Sequence, residues 1–168
     1  LYNAVIRSEL KVLKRSAHSM MVHYVQPSQD AAIAGTYKDF QFENNTKYPV
    51  YIEGAASGGI ITFTVYGKET RDPSRTVDFE SETTDTIKAE TKIVADSTLP
   101  VGTVTQTSSA KDGLKARLWK IVKVNGKEQS RTVFNNSVYN PTNAVYSVGT
   151  KSDSSEATAA MQAAIATN

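Results

Sequence analysis

Cysteine is absent from this sequence of 168 residues, histidine occurs twice, tryptophan once, and no apolar run approaches the length that spans a bilayer. The missing cysteine removes disulfide staples, an internal thiolate nucleophile and every sulfur ligand for zinc. A zinc site would need histidine and carboxylates from distant parts of the chain, and no HExxH spacing is present. Zero cysteines suits a bacterial surface protein that avoids thiol chemistry, and equally a cytosolic one. Nor is there a strong charge of one sign. Nineteen lysines and arginines meet 17 aspartates and glutamates, a net +2, and the cations are scattered, which argues against nucleic acid as the main partner. The sequence opens on Leu1, with no methionine, signal peptide or helix cap before an already periodic stretch, so the expectation is a fragment of a longer polypeptide. What is present, 39% hydrophobic residues, suits one folded domain or two small ones.

Both histidines fall in RSAHSMMVHYV, residues 15–25. Five positions apart they take opposite faces of a strand, or lie roughly 140° apart on a helix, so they cannot grip one ion. The β-branched, aromatic and flexible apolar residues from Met20 to Val25 predict a strand ending near Pro27, with His23 as one of its ordinary structural residues. No metal and no cofactor is expected.

Periodicity predicts a helix through LYNAVIRSELKVLKRS. Ile6, Leu10 and Leu13 fall at i, i+4 and i+7, Val5 and Val12 widen the stripe, and Arg7, Glu9, Lys11 and Lys14 take the solvent face. After a turn-rich connection containing Pro27 and Gly35, Phe40 and Phe42 share one strand face and Asn44-Asn45-Thr46 supplies turn chemistry. Val50 and Ile52 then alternate with Tyr51 and Glu53. AASGG breaks the run before Ile61, Phe63 and Val65, which oppose Thr62 and Thr64, predicting a hairpin. KETRDPSR, residues 68–75, is charged with almost nothing to bury, and is placed as a linker between a part at 1–67 and a β domain at 76–151.

Within the second part, Asn125-Gly126 between strand-like runs signals a type I′ hairpin, which needs positive φ at both central residues. The returning strand is polar on both faces, so a thin, mostly solvated sheet is expected, held by ladder hydrogen bonds and a few large residues such as Leu99, Trp119 and Val133. The tail, 152–168, predicts a short helix capped by Asp153 with Glu156 three positions on. The fold class is therefore an α+β N-terminal part, one helix plus antiparallel hairpins, followed by an elongated, thin all-β domain of antiparallel strands.

Two resemblances cover nearly the whole chain. LYNAVIRSEL, KRSAHS, VHYVQPSQDAAI, DFQFENNTKYPVYIE and GGIITFTVYG follow the order and spacing of VanW-like domains, so residues 1–67 resemble the C-terminal part of that Gram-positive surface and resistance-associated family. STLPVGTVTQTSSAKDGLKARLWKIVKVNGKEQSRTV, closing with VYSVGTK, resembles the extracellular G-five module over 76–151. Gly102, Gly113, Gly126 and Gly149 stand at four of its glycines, and Ala110 at the remaining one.

The VanW-like resemblance implies a glycine-rich Cys-Gln segment just before the Leu-Tyr-Asn-Ala helix. It also places His18 on the family's His-Ser motif, where an imidazole stabilises a thiolate and Asp30 orients the ring. The competing reading is that His18 caps the helix end and bonds locally. This chain holds no thiol, so by itself it reads as non-catalytic, with a fragment of a cysteine-histidine wall-modifying enzyme as the alternative. The G-five resemblance implies carbohydrate or peptidoglycan contact, at the cell surface or wall and outside the cell. Its expected partners are the wall glycan and the remainder of its own precursor chain, with no membrane span. Tyr24, Tyr48, Tyr51 and Trp119 are candidate sugar-stacking side chains, against the reading that they pack half-buried strands. A third reading is a stalk or self-association element joined through zinc. The sequence does not specify the oligomeric state.

Overall fold

The computed structural model describes residues 1–167. Their elements in chain order are α1 (Tyr2–Arg7), β1 (Lys11–Lys14), β2 (Gln41–Glu43), β3 (Tyr51–Ser57), β4 (Ile60–Tyr66), β5 (Arg75–Ile87), β6 (Thr91–Pro100), β7 (Val104–Ser108), β8 (Gly113–Val124), β9 (Lys127–Tyr139), β10 (Ala144–Lys151) and α2 (Ser155–Ala166). Contacts divide the chain into two compact units, Leu1–Asp85 with Lys115–Tyr139, and Thr86–Leu114 with Asn140–Asn168. The segment 68–75 lies inside the first of them. No helix among the described residues is long and apolar enough to cross a membrane.

In the first unit the opening helix is shorter than its periodicity predicts. It ends at Arg7 in a Schellman motif: Glu9 N–H donates to Ile6 O at 3.0 Å and Leu10 N–H to Val5 O at 3.2 Å, with Glu9 in the left-handed region at φ 57°. A glutamate there costs about 1–2 kcal/mol against glycine, so tertiary contacts must hold it. The stripe read as one helix is thus split. Ile6 and Leu10 are both buried, but Lys11–Lys14 runs as a strand, antiparallel to β2, and leaves Leu13 exposed.

Met20–Val25 is a series of bends rather than a strand, and His23 is an exposed residue of it. Alternation alone cannot form a strand without a ladder partner. Here the neighbouring donors go elsewhere, His18 N–H to the Asp30 carboxylate and Ala32 N–H to Ser16 O. The β3/β4 hairpin forms as expected, from Tyr51↔Tyr66 to Ser57↔Ile60, turning on Gly58 and Gly59 with φ 56° and 77°.

Strands β5, β8 and β9 form a sheet in that order, and the turn joining β8 to β9 has the predicted positive φ, 51° at Asn125 and 74° at Gly126. Near this turn β9 is solvated, with Lys127 to Val133 all exposed. Toward its far end the sheet gains an interior that the polar returning strand does not announce. Phe79 of β5 and Leu118 of β8 pack with Tyr2 and Ile6 of α1, and Phe40 and Phe134 close over them. Phe134 meets Phe79 edge-on at 5.2 Å, and Phe40 meets Tyr2 at 5.3 Å. Each such side chain contributes about 1.5–3 kcal/mol on burial. The large residues that hold this sheet are therefore Leu118, Ile121, Phe79 and Tyr139, whereas Trp119 is half-buried and Val133 exposed.

The second unit is built on a three-stranded sheet, β6-β10-β7. Strand β10 runs antiparallel to β7 and parallel to β6, from Ala144↔Thr91 to Gly149↔Asp96. The parallel pair is an addition to the all-antiparallel expectation. Burial here is confined to small residues, Ala144, Ser147 and Thr150 among them, while Ile93, Val94 and Val104 are exposed. Gly149 is required by space: a Cβ would sit 2.0 Å from Pro100 O. Gly102 serves the turn after β6, with φ 86°. Helix α2 starts one residue later than expected. Ser154 is the cap, its Oγ accepting from Ala157 N–H at 3.2 Å, and Ser152 adds bonds to Ser154 O and to Thr158 Oγ1. Residue 168 of the predicted tail lies outside the described residues.

Candidate functional site

The densest polar centre of the first unit forms beneath His18. Asp30, 2% exposed, lies on the connection after the bends and receives donors from four directions. Arg15 Nη2 reaches Oδ1 at 2.8 Å and its Nε reaches the Asp30 carbonyl at 2.7 Å. Tyr139, wholly buried at the end of β9, donates its hydroxyl to Oδ1. His18 supplies both its backbone N–H and its Nδ1 to Oδ2, each at 2.7 Å.

A second layer fixes these donors. Ser137 Oγ accepts from Arg15 Nη1 at 2.8 Å and from Ser28 Oγ at 2.9 Å, while Ser28 N–H donates to the Tyr139 hydroxyl at 2.7 Å. Ser28 is itself buried and left-handed, with φ 65°, a conformation held by that hydrogen bond. Arg15 also lies over the Tyr2 ring, whose hydroxyl accepts from Asn135 at 2.7 Å.

The electrostatics follow from these distances. Burial pushes the Asp30 pKa up, but the hydrogen bonds of Tyr139 and of His18 and the charge of Arg15 outweigh it, and the net direction is down. A carboxylate only accepts hydrogen bonds, so the His18 nitrogen facing it must be the donor, leaving Nε2 as the ring's available acceptor. Burial raises the Tyr139 phenol, with Asp30 reinforcing the shift, and burial raises Tyr2 to about 12. The His18 side chain is 31% exposed. Asp30 therefore sits dry beneath a ring that reaches water.

The structure thus brings His18 and Asp30 together. Tyr24, 72% exposed, meets the His18 ring edge-on at 6.2 Å. The other aromatic candidates stand apart from this centre. Tyr51 is 65% exposed and stacks on Tyr66 at 6.0 Å, Tyr48 lies under the Lys68 ammonium, and Trp119 donates to Glu82 at 2.6 Å with Arg117 near its ring. Gly113 is buried at the start of β8, and Ala110 is exposed without positive φ. Among the described residues, no group of three or more His, Cys, Asp or Glu side chains is placed to hold a metal ion.

Sequence reasoning missed Arg15, Tyr139, Ser28 and Ser137. It also missed Glu9, which the helical period assigned to solvent. Its carboxylate instead gathers Arg75, Lys120 and Arg71, with Lys120 Nζ at 2.6 Å, and these donors, Arg75 foremost, hold its pKa down at about 2.

Comparison with known proteins separates two segments. Residues 1–66 match the family model described as VanW like protein, and residues 79–151 match that of the G5 domain. The uncharacterized protein YoaR of Bacillus subtilis (strain 168) is 35% identical over 69 residues, which cover 41% of this chain and 23% of that protein. The chain therefore spans under a quarter of that relative's length. Two solved structures are similar over less than half of this chain. The G5 domain of an IgA1 protease is 28% identical, with 46% of this chain and 94% of that one covered at a TM-score of 0.35; HP0197-G5 is 21% identical, with 45% and 97% covered at 0.27. VanW-like and G5 domains are module types associated with the cell wall. The chain carries a VanW-like segment at 1–66 followed by a G5 domain at 79–151.

Proposed function

We propose that this chain is an extracellular module that binds carbohydrate or peptidoglycan of the bacterial wall. The observation that carries the proposal is the exposed aromatic pair on the β3/β4 hairpin. Tyr51 and Tyr66 are paired in register and stacked with an interplanar angle of 30°, each at least half exposed. Two rigid, exposed rings packed together offer apolar surface to the face of a sugar, with the Tyr51 hydroxyl placed to bond its rim. The Tyr66 hydroxyl already donates to Glu53 at 3.0 Å, which fixes the orientation of that ring. Affinity per module is weak and rises by repetition in a longer parent. A pull-down on purified peptidoglycan tests the proposal: the chain is retained, and Tyr51→Ala with Tyr66→Ala lowers retention at least fivefold. Retention no better than that of an unrelated protein of equal charge removes it.

The 2.7 Å contact between His18 and Asp30 favours a second reading. An imidazole whose Nδ1–H is held by a buried carboxylate is oriented to take a proton through Nε2, as a thiol nucleophile requires. In a longer chain bearing the cysteine segment of VanW-like sequences, His18→Ala abolishes labelling by a thiol-reactive probe at neutral pH. Unchanged labelling leaves His18 a structural residue.

A further inference from the structure

Glu9 holds a backbone conformation that side-chain-bearing residues avoid, and its carboxylate is the hub of three cations. Around that hub the surface of the first unit opens into a hollow of about 780 Å³, adjoined by a second of about 480 Å³; both are lined by Glu9, Leu10, Asn45 and Lys120. Seven lysines and arginines line the two hollows against two carboxylates, in a chain whose net charge is only +2. This gathering of cations is one that the sequence, read linearly, does not show.

The cations divide into two sets. Five of the seven are ion-paired: Arg71, Arg75 and Lys120 with Glu9, Arg71 also with Glu69, Lys11 with Glu43 and Arg15 with Asp30. Lys47 and Lys68 stand exposed on the rim with no carboxylate partner among the described residues. Lys68 is nonetheless positioned: its ammonium lies 4.4 Å over the Tyr48 ring and donates to that hydroxyl at 3.3 Å. Tyr48 belongs to a preformed loop, where Asn44 Nδ2 and Thr46 Oγ1 both donate to its carbonyl at 2.8 Å. The rim is therefore shaped before any ligand arrives.

We propose that this double hollow binds an anionic, hydroxyl-rich polymer through its oxyanions, phosphodiester or carboxylate, seated between Lys47 and Lys68 above the Glu9 ion cluster. The volume admits a unit of several rings or polyol links rather than a single ion. Glu9 makes the site selective for polymers. A lone anion must compete with a carboxylate tethered at high effective concentration, whereas a chain of anions adds Lys47, Lys68 and the second hollow to its contacts. The inference rests on the wall-binding reading for the origin of the polymer, but it concerns a different surface.

The test titrates the whole chain with poly(glycerol phosphate), polygalacturonate, a neutral chito-oligosaccharide and inorganic phosphate, at low salt and at about 0.5 M salt. At least one polyanion binds, inorganic phosphate at equal charge does not, and binding is lost at high salt. The preferred polyanion identifies the oxyanion. Lys47→Glu with Lys68→Glu lowers polyanion affinity tenfold or more, while Lys92→Glu with Lys127→Glu, the same charge change at exposed sites elsewhere, alters it less than twofold. Equal losses in the two double variants, or no polyanion binding by the parent chain, overturn the proposal. Retention on purified peptidoglycan without polyanion binding removes this site and leaves the glycan reading intact. The opposite pattern removes the glycan reading and leaves this site.

Discussion

The two compact units stabilise themselves by different means. The first buries large side chains, Tyr2, Ile6, Phe79, Leu118, Ile121 and Tyr139, and places two ion-paired carboxylates, Asp30 and Glu9, beside them. The second buries little beyond Ala144, Ser147, Gly149 and Thr150 and relies on backbone ladders, including the parallel pairing of β6 with β10. A domain with a packed interior can hold a charge away from water, because several elements converge to supply its donors. A thin sheet has no such place, so its sensitivity lies in backbone spacing. The unit able to hold a functional polar centre is therefore the first, and perturbations of the two should differ in kind.

The largest expected effect is at Asp30. Its replacement by alanine strands Arg15 and the Tyr139 hydroxyl in a dry site, and a buried pair broken on one side costs about 3–5 kcal/mol. Urea unfolding should show this loss, with hydrogen exchange accelerated in 1–85 and 115–139 and little changed in 86–114. Uniform acceleration would make the two units one cooperative whole and dissolve the contrast. Gly149→Ala is the counterpart in the second unit. The added methyl would meet Pro100 O at 2.0 Å and Leu99 O at 2.8 Å, both backbone atoms that cannot rotate away. A loss of about 3 kcal/mol is expected, the upper end for overpacking. Gly126→Ala, where nothing lies within 4 Å of the new Cβ, should cost only the left-handed strain, about 1–2 kcal/mol. Equal losses at the two glycines would mean that β10 and β6 are not so closely apposed.

Legibility in the sequence followed the range of the interactions. The Asn125-Gly126 turn and the β3/β4 hairpin are local, so short patterns announce them. The pairing of His18 with Asp30, 12 residues apart, comes from the VanW-like resemblance and not from local periodicity. Tyr139, 109 residues from Asp30, lies on a strand whose early residues are polar and solvated, and nothing nearby marks its hydroxyl as a carboxylate ligand. Glu9 was misassigned for a related reason. Helical periodicity continues through it, and only Arg71, Arg75 and Lys120, more than 60 residues downstream, favour the left-handed turn that ends the helix. The segment read as a linker with nothing to bury supplies two of those cations.

Acid titration sharpens the contrast further. The folded Glu9 pKa of about 2 lies below its ordinary value of 4.5, so its contribution is complete above that value and disappears as pH falls through the folded pKa. Asp30 is shifted in the same direction. Stability of the first unit should therefore decline from about pH 5 toward pH 2, with Glu9 responsible for about 2–3 kcal/mol of the change at low ionic strength. Glu9→Gln should flatten this part of the profile and lower stability at pH 7. A profile of unchanged slope in Glu9→Gln would show that its three cations are satisfied by solvent.

The smallest effect separates packing from charge within the first unit. Tyr139→Phe keeps the buried ring but removes a hydroxyl that donates to Asp30 and accepts from Ser28 N–H. Loss of that hydroxyl should cost about 1–2 kcal/mol, since one buried donor is left unpaired and one donor to a charge is gone. The same change should raise the Asp30 pKa, because the phenol is first among the groups holding it down against burial. Carboxyl-carbon NMR of Asp30 reads that titration directly. A double-mutant cycle with Asp30→Asn should give a coupling of about 1 kcal/mol. If stability falls while the Asp30 titration stays in place and the coupling vanishes, the Tyr139 hydroxyl supports the fold through Ser28 N–H and not through Asp30, and the carboxylate under His18 is held by Arg15 and the His18 donors.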